Sequence, residues 1–413
     1  MTLEISPPVA WHVTHWCDDS YSQGAYSALL PGGDIALRRL LSTPVDGRLF
    51  LAGEAFNHDH SAMTHSAWDS GLRAAAAVTD TSARKVIVIG AGFAGLAAAS
   101  TLQALGLDVQ VLEARDRIGG RVHTAALGGH AVDVGAAWLQ QYERNPLARR
   151  AEQLNLQRRT TDFSQPLAAA WDGPLPDINL AYEQLRQSID RSQPLALSIE
   201  RYLGNLTTAN RRAAAFAVDA NLILEAGLPL TQLSAQVLDE EGVGHGDQFL
   251  PQGYRQLLDD AAYGLNIHLN HPVQQISWDG QGVQINGVAA DACICTVPVP
   301  VLKQLCFTPA LPAAYRQALE SFTMGRLEKV VLQFERRWWP ASGDGYLRWY
   351  DAPPNWGEWL DLTDALGTPL IAGLIAGDAV ERHFAAKTDE QIAMEACAKL
   401  AAWACAIKRN NEL

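Results

Sequence analysis

Gly90, Gly92 and Gly95 follow the uncharged run Val86–Ile89 with the spacing G-x-G-x-x-G, and Glu113 stands eighteen residues beyond the last of them. Those residue types at that spacing can hold a dinucleotide. The first glycine makes a tight turn and the second lets a pyrophosphate approach the backbone. The third lets a helix pack on the strand, and the acid accepts hydrogen bonds from ribose hydroxyls. Phe93 and Ala94 lie between the glycines, where free N–H groups and roughly half a unit of positive charge from a helix dipole attract phosphate.

The elements that must position these groups are readable on either side. Val86–Ile89 is β-branched and uncharged, as a strand buried on both faces is. Leu96–Leu105 is Ala/Leu-rich and closed by Gly106, and Val109–Leu112 is a second apolar strand that ends at Glu113. The order is βαβ. Residues 86–107 carry no charge and are long enough to span a bilayer. Four glycines together with Ser100, Thr101 and Gln103 interrupt them, however, at the points where strand–turn–helix punctuation belongs.

The run Glu113-Ala114-Arg115-Asp116-Arg117-Ile118-Gly119-Gly120-Arg121 resembles the E-A-R-x-R-x-G-G-R signature of the flavin-containing amine oxidases. That group holds monoamine oxidases, polyamine oxidases and lysine-specific histone demethylases. Asp133-Val134-Gly135-Ala136-Ala137-Trp138 and Asn145-Pro146 resemble the next two family elements, and Phe249–Tyr254 a later one. The resemblance implies FAD. It places the Gly119-Gly120 turn and Arg121 at a second phosphate or the flavin edge. Gly135, Ala136 and Trp138 would also meet the cofactor, and the backbone of Val273 would meet the adenine. A nicotinamide dehydrogenase lacks reason for these elements.

Residues 1–80 hold three segments that in the family lie near the carboxyl end. They are His15–Ser27, Gly47–Glu54 and Met63–Ala75. The chain therefore reads as circularly permuted, with the polar link Thr79–Arg84 joining an old end to the nucleotide strand. The rival account is a rearranged gene whose first 80 residues do not complete the fold. By resemblance Gly53 gives close backbone approach to the flavin chain and Glu54 accepts from a ribityl hydroxyl. Met63 and Thr64 lie in the first turn of a helix starting at Ala62. N–H groups there would stabilise negative charge on the reduced ring.

Lys329 sits among alternating apolar residues, so it is either an edge-strand charge or, by resemblance, the lysine that holds a water at the flavin and assists reaction with oxygen. Trp338-Trp339 follows at the spacing of the family's aromatic pair, which makes Trp339 a candidate site residue. Tyr26 matches one wall of an aromatic cage, but Met63 occupies the other. Ala25 stands where covalent family members carry a flavin-linked cysteine, so FAD is expected to be non-covalent. Amphipathic helices such as Ala181–Asp190 and Arg211–Glu225 carry no evident chemistry.

The expected fold class is α/β, in permuted order. A Rossmann-type FAD-binding domain (GR2 type) is assembled from 38–145 and 238–303. A mixed α+β substrate-binding domain comes from 146–237, 304–413 and 1–37. The expected reaction takes a hydride from the carbon beside an amine nitrogen and, with oxygen, yields an imine and hydrogen peroxide. An L-amino-acid oxidase or a flavin desaturase is the alternative on the same frame, and a flavin-binding interaction protein without turnover is the alternative of another class. A net charge of −13 over 413 residues argues against nucleic-acid or anionic-membrane partners. Six scattered cysteines and the loop His58-Asp59-His60 show no metal spacing. With no basic region and apolar core at the N-terminus, the expectation is a cytoplasmic enzyme acting on a small amine with oxygen, and a weak homodimer is in keeping with the family.

Overall fold

The computed structural model describes residues 5–161, 163, 166–239 and 246–411. Part of the expected FAD segment 238–303 thus lies outside the described residues. Two sheets organise the molecule. The first is wholly parallel and five-stranded, in the order Asn266–His268, Asp108–Leu112, Lys85–Ile89, Ala292–Cys295 and Leu49–Leu51. Val86–Ile89 and Ala292–Cys295 at its centre are apolar because the helices Thr64–Thr79 and Phe93–Ala104 cover one face and the strands Gln275–Trp278 and Val283–Ile285 pack on the other, and a strand covered on both faces has no polar side to show. The helix of the βαβ unit spans Phe93–Ala104, three residues earlier than its apolar run suggests, and Gly92 is its N-cap. Ala292–Cys295 is shorter than the apolar stretch to Pro298, since Pro298 already caps a helix over Val299–Gln304.

The first 80 residues are built into this layer. Leu49–Leu51 pairs in parallel with Cys293–Cys295 and closes the sheet edge. The helix Thr64–Thr79 lies against Phe93–Ala104, and Phe50, Ala74, Ala75 and Val78 share one core with Val86, Val88, Leu96 and Val111. The approach is so close that a Cβ on Gly71 would sit 2.1 Å from the Ala94 carbonyl oxygen. Gly71→Val is therefore expected to separate the two helices and cost about 1–3 kcal/mol, read as a lower denaturant midpoint with an unchanged slope. An unaltered midpoint would show that the helices have room to spare.

The second sheet has six strands in the order Ala10–Val13, Leu327–Gln333, Leu370–Ala376, Glu358–Asp361, Tyr346–Tyr350 and Leu167–Ala170. All its pairs are antiparallel except the last. Period-2 alternation sends the two sets of side chains to opposite faces. Val330, Leu332, Leu347, Trp349, Trp359, Ile371 and Ile375 pack with Ile392, Ala396, Leu400 and Trp403 of the long helix Asp389–Asn411. Lys329, Glu358, Arg348 and Leu374 go to the other face, towards the nucleotide-binding layer. Smaller helices from Ile178 to Ala226 complete the second half.

Candidate active site

The parallel sheet and the six-stranded sheet face one another across a cavity of about 550 Å³. Of the residues given a cofactor or substrate role above, all line it except Gly95 and Trp339. Gly95 acts from beneath, because a Cβ there would lie 1.9 Å from the Gly90 carbonyl oxygen, so only glycine lets helix and strand meet. No side chain caps the helix at Phe93 and its first turn carries no acid, which leaves its leading N–H groups for an anion. Glu113 uses two acceptor positions, on the Ala91 N–H (2.7 Å) and the Arg115 N–H (2.8 Å). A carboxylate has about four such positions, so room for ribose hydroxyls remains. These features fit the dinucleotide end of FAD.

Two expected contacts differ in detail. Arg121 donates to Glu54 Oε1 at 2.6 Å and to the Ala25 carbonyl at 3.1 Å, rather than standing free for a phosphate. Glu54 in turn accepts from the Ser27 hydroxyl (2.7 Å), the Ser27 N–H (3.2 Å) and the Ala62 N–H (3.1 Å). Arg115 is likewise clasped by Asp19 at 2.6 and 2.7 Å and by Ser22 at 2.8 Å. Arg115 and Arg121 of the signature therefore tie Asp19, Ser22, Ala25 and Glu54 to the nucleotide layer while still lining the cavity. The helix after Glu54 starts at Thr64 rather than Ala62, with Met63 as its extended N-cap. Ala62 adopts a positive φ of 64°.

Residues 3–79, 93–240 and 230–410 match the family described as flavin containing amine oxidoreductase. The chain belongs to that family. It is 31% identical over 372 residues to polyamine oxidase 2 of Arabidopsis thaliana, a match covering 78% of this chain and 71% of that one. Wild-type putrescine oxidase bound to putrescine shares its fold, with a TM-score of 0.61 at 22% identity over 78% of this chain and 81% of that one. Cyclohexylamine oxidase from Brevibacterium oxydans IH-35A does so with a TM-score of 0.59 at 24% identity over 76% and 79%. As a flavin amine oxidoreductase the protein uses FAD to oxidise an amine.

In this amine oxidoreductase Lys329 is buried and held by two carbonyls, those of Asp133 at 2.9 Å and Gly135 at 2.7 Å, with the Trp138 ring centroid 5.5 Å away. Burial lowers its pKa to about 8, against the pull of Asp133 and Glu358. Asp133 is itself raised to about 6 by burial, despite hydrogen bonds from the Thr124 hydroxyl and the Tyr254 N–H. Tyr26 lies across the cavity and donates to the Leu224 carbonyl at 2.9 Å. Burial holds its phenol neutral. Ala25 offers no sulfur for a covalent link, and Cys17 stands outside the cavity lining, its thiol pushed well up by burial.

Trp339 is a correction. It packs edge-on against Phe334 and Trp338, donates to Asp361 at 2.9 Å, and belongs to the core under the helix Asp389–Asn411. The strand carrying Lys329 ends at Gln333, so alternation no longer governs where Trp339 points. The cavity's aromatic wall is formed instead by Trp138 and Phe163, whose ring centroids are 5.3 Å apart, with Tyr346 behind Phe163 at 4.7 Å.

Three charged residues went unrecognised in the sequence. Across adjacent strands, Lys329 pairs in register with Leu374, Leu374 with Glu358, and Glu358 with Arg348. They form one row on the cavity face, alternating in sign around a leucine. Arg348 lies 3.5 Å from both Glu358 and Asp219. The third is Glu225. The helix Thr208–Val218 runs into a π-helical stretch, Asp219–Ile223, before ending at Leu224–Ala226. The wider turn displaces the register, and Asn221, Leu224 and Glu225 reach the cavity. The alternation within 346–350 and 358–361 was the one available signal for Arg348 and Glu358. For Glu225 there was none.

Proposed function

We propose that the protein removes a hydride equivalent from the carbon beside an amine nitrogen, with FAD bound non-covalently along the cavity and oxygen as electron acceptor. The observation that carries this reading is Lys329. A lysine is costly to bury, yet this one is positioned by two backbone carbonyls on the cavity side opposite the glycine turn. Bound FAD supplies the two-electron oxidation itself. Gly90, Gly92, Phe93, Ala94 and Glu113 hold its dinucleotide portion, and Val273 its adenine. Gly53, Glu54, Arg121, Met63 and Thr64 line the stretch towards the reacting end. Tyr26 and Trp138 flank the substrate and exclude water, while Lys329 keeps a positive charge and a donor near the reacting atoms. The printed names of the relatives, polyamine oxidase and putrescine oxidase, favour an aliphatic amine.

An amino-acid oxidase would need a free arginine for the substrate carboxylate. Arg348 is buried in the right half, but Asp219 and Glu358 already neutralise it and Glu225 stands beside it. That arrangement repels a carboxylate at Arg348, which leaves Arg186, on the main cavity and bonded to the Leu238 carbonyl at 3.0 Å, as the arginine such a substrate could meet. Visible spectra recorded anaerobically with a panel of amines and amino acids test the reading. Bleaching of an oxidised-flavin band by amines alone is expected, and bleaching by amino acids alone would overturn it.

We further propose that the chain order is a circular permutation of the family's. Its support is the placement of Leu49–Leu51 and Thr64–Thr79 in the nucleotide layer although both precede Lys85–Ile89, the strand that leads into the glycine turn. A chain re-ordered to run from residue 85 to 413 and then, through a flexible linker, from 1 to 79 is expected to take up FAD with the same spectrum. Failure of that chain to bind flavin would count against the permutation.

A further inference from the structure

A second cavity of about 360 Å³ adjoins the first. Its outer rim includes Leu175, which is 37% exposed, and the exposed Asn179. At its inner end Phe163, Asn221, Leu224, Glu225 and Glu358 line both cavities, so these five residues form a neck between them. Tyr346 and Tyr350 wall the space behind the neck.

Acids outnumber bases there. Glu358 and Asp219 share Arg348, and Asp177 near the rim accepts from the Leu180 N–H at the start of its helix. Glu225 has neither a donor nor an ion-pair partner among the described residues, and its side chain is open to the cavity. Glu225 is solvated by the cavity rather than sealed in the core, so its unpartnered carboxylate is free to meet a cation that enters there. The aromatic faces of Phe163 and Tyr346 beside it favour a cation as well.

We propose that the second cavity is the channel by which the amine enters, and that Glu225 at its neck binds the incoming ammonium group. This rests on the amine-oxidising reading above. The cation leaves water at the rim, exchanges its hydration for the Glu225 carboxylate and the aromatic walls, and moves from there into the cavity that Lys329 and Tyr26 face. Burial raises the Glu225 carboxyl to about 7, with Glu358 adding to the rise and Arg348 opposing it. The other titratable groups facing it are Asp247, Tyr26, Tyr182 and Tyr346, and burial keeps the three phenols neutral. Glu225 is therefore charged above about pH 7 and neutral below it.

The test uses the FAD-loaded protein and benzyltrimethylammonium, whose charge is permanent and which has no N–H to lose. Binding is measured by calorimetry at pH 6 and pH 8. Affinity in the wild type is expected to rise about tenfold between the two, following the charged fraction of a carboxyl of pKa about 7. Glu225→Gln is expected to bind at least fivefold more weakly at pH 8 and to show no such pH dependence. Separately, Asn179→Trp, which narrows the rim from an exposed helix position, is expected to lower kcat/KM for an amine severalfold while leaving kcat unchanged. Equal affinity and equal pH dependence in wild type and Glu225→Gln would overturn the assignment of Glu225, and an unchanged kcat/KM in Asn179→Trp would overturn the route. If no amine bleaches the wild-type flavin, the enzymatic reading fails, and the calorimetric result still decides whether Glu225 is a cation site.

Discussion

Replacing Arg121 by methionine is expected to destabilise the protein by about 3–5 kcal/mol, the range for removing one partner of a buried ion pair. The partner left behind is Glu54, only 5% exposed. Burial pushes the Glu54 carboxyl up, but Arg121, the Ser27 hydroxyl and Arg38 outweigh burial and hold it below its ordinary 4.5. A carboxyl held low in the folded state adds stability that is complete above pH 4.5 and is lost as pH falls through its folded value. The wild type should therefore lose stability on acidification. In Arg121→Met burial is opposed by fewer groups, so the acid-side loss shrinks while the stability at neutral pH drops. Urea unfolding of both proteins at pH 4 and pH 7 measures this. The double change Arg121→Met with Glu54→Gln should recover part of the loss, since the stranded charge is gone. A double variant as unstable as the two single effects added together would show that the pair is not the cause.

The other large effect is expected at Lys329. Lys329→Met preserves most of the side-chain volume and removes the charge. Loss of one preorganised charge at a reacting site costs on the order of 10²-fold in rate, and a fall of that size is expected in the reaction of the reduced enzyme with oxygen. Because burial brings the Lys329 pKa down to about 8, the charge is present below pH 8 and lost above it. The wild-type oxygen rate should therefore decline as pH rises through about 8, whereas the variant's should be flat. Stopped-flow mixing of dithionite-reduced protein with oxygenated buffer at pH 7 and pH 9 reads both. Equal rates in the two proteins at pH 7 would remove Lys329 from the oxygen reaction.

Both effects come from groups whose roles differ in how far they could be read from the chain. Gly90, Gly92, Gly95 and Glu113 act through backbone geometry within a single βαβ unit. Their spacing alone places the turn, the helix N-terminus and the ribose acceptor, because everything that positions them lies within some thirty residues. The same is true of Gly119, Gly120 and Arg121. The resemblance carried by these runs was enough to place the chain in its family and to name FAD.

The packing of the first 80 residues against the nucleotide strand could be inferred only from the order of motifs. Its physical content is the parallel pairing of Leu49–Leu51 with Cys293–Cys295 and the close helix crossing at Gly71. Trp339 was misplaced for a related reason. Past Gln333 the strand ends, and the direction of the Trp339 side chain is set by packing with the helix Asp389–Asn411, which begins fifty residues further along the chain.

What the sequence by itself determined was the cofactor end of the site, whose residues are neighbours along the chain and whose conformations follow from local sterics. The amine end was decided by the tertiary structure. Lys329, Leu374, Glu358 and Arg348 meet only through the register of four strands, and Glu225 reaches the cavity only through a π-helical turn. Register and helix phase are settled by packing across the whole core, and no short stretch of sequence contains them.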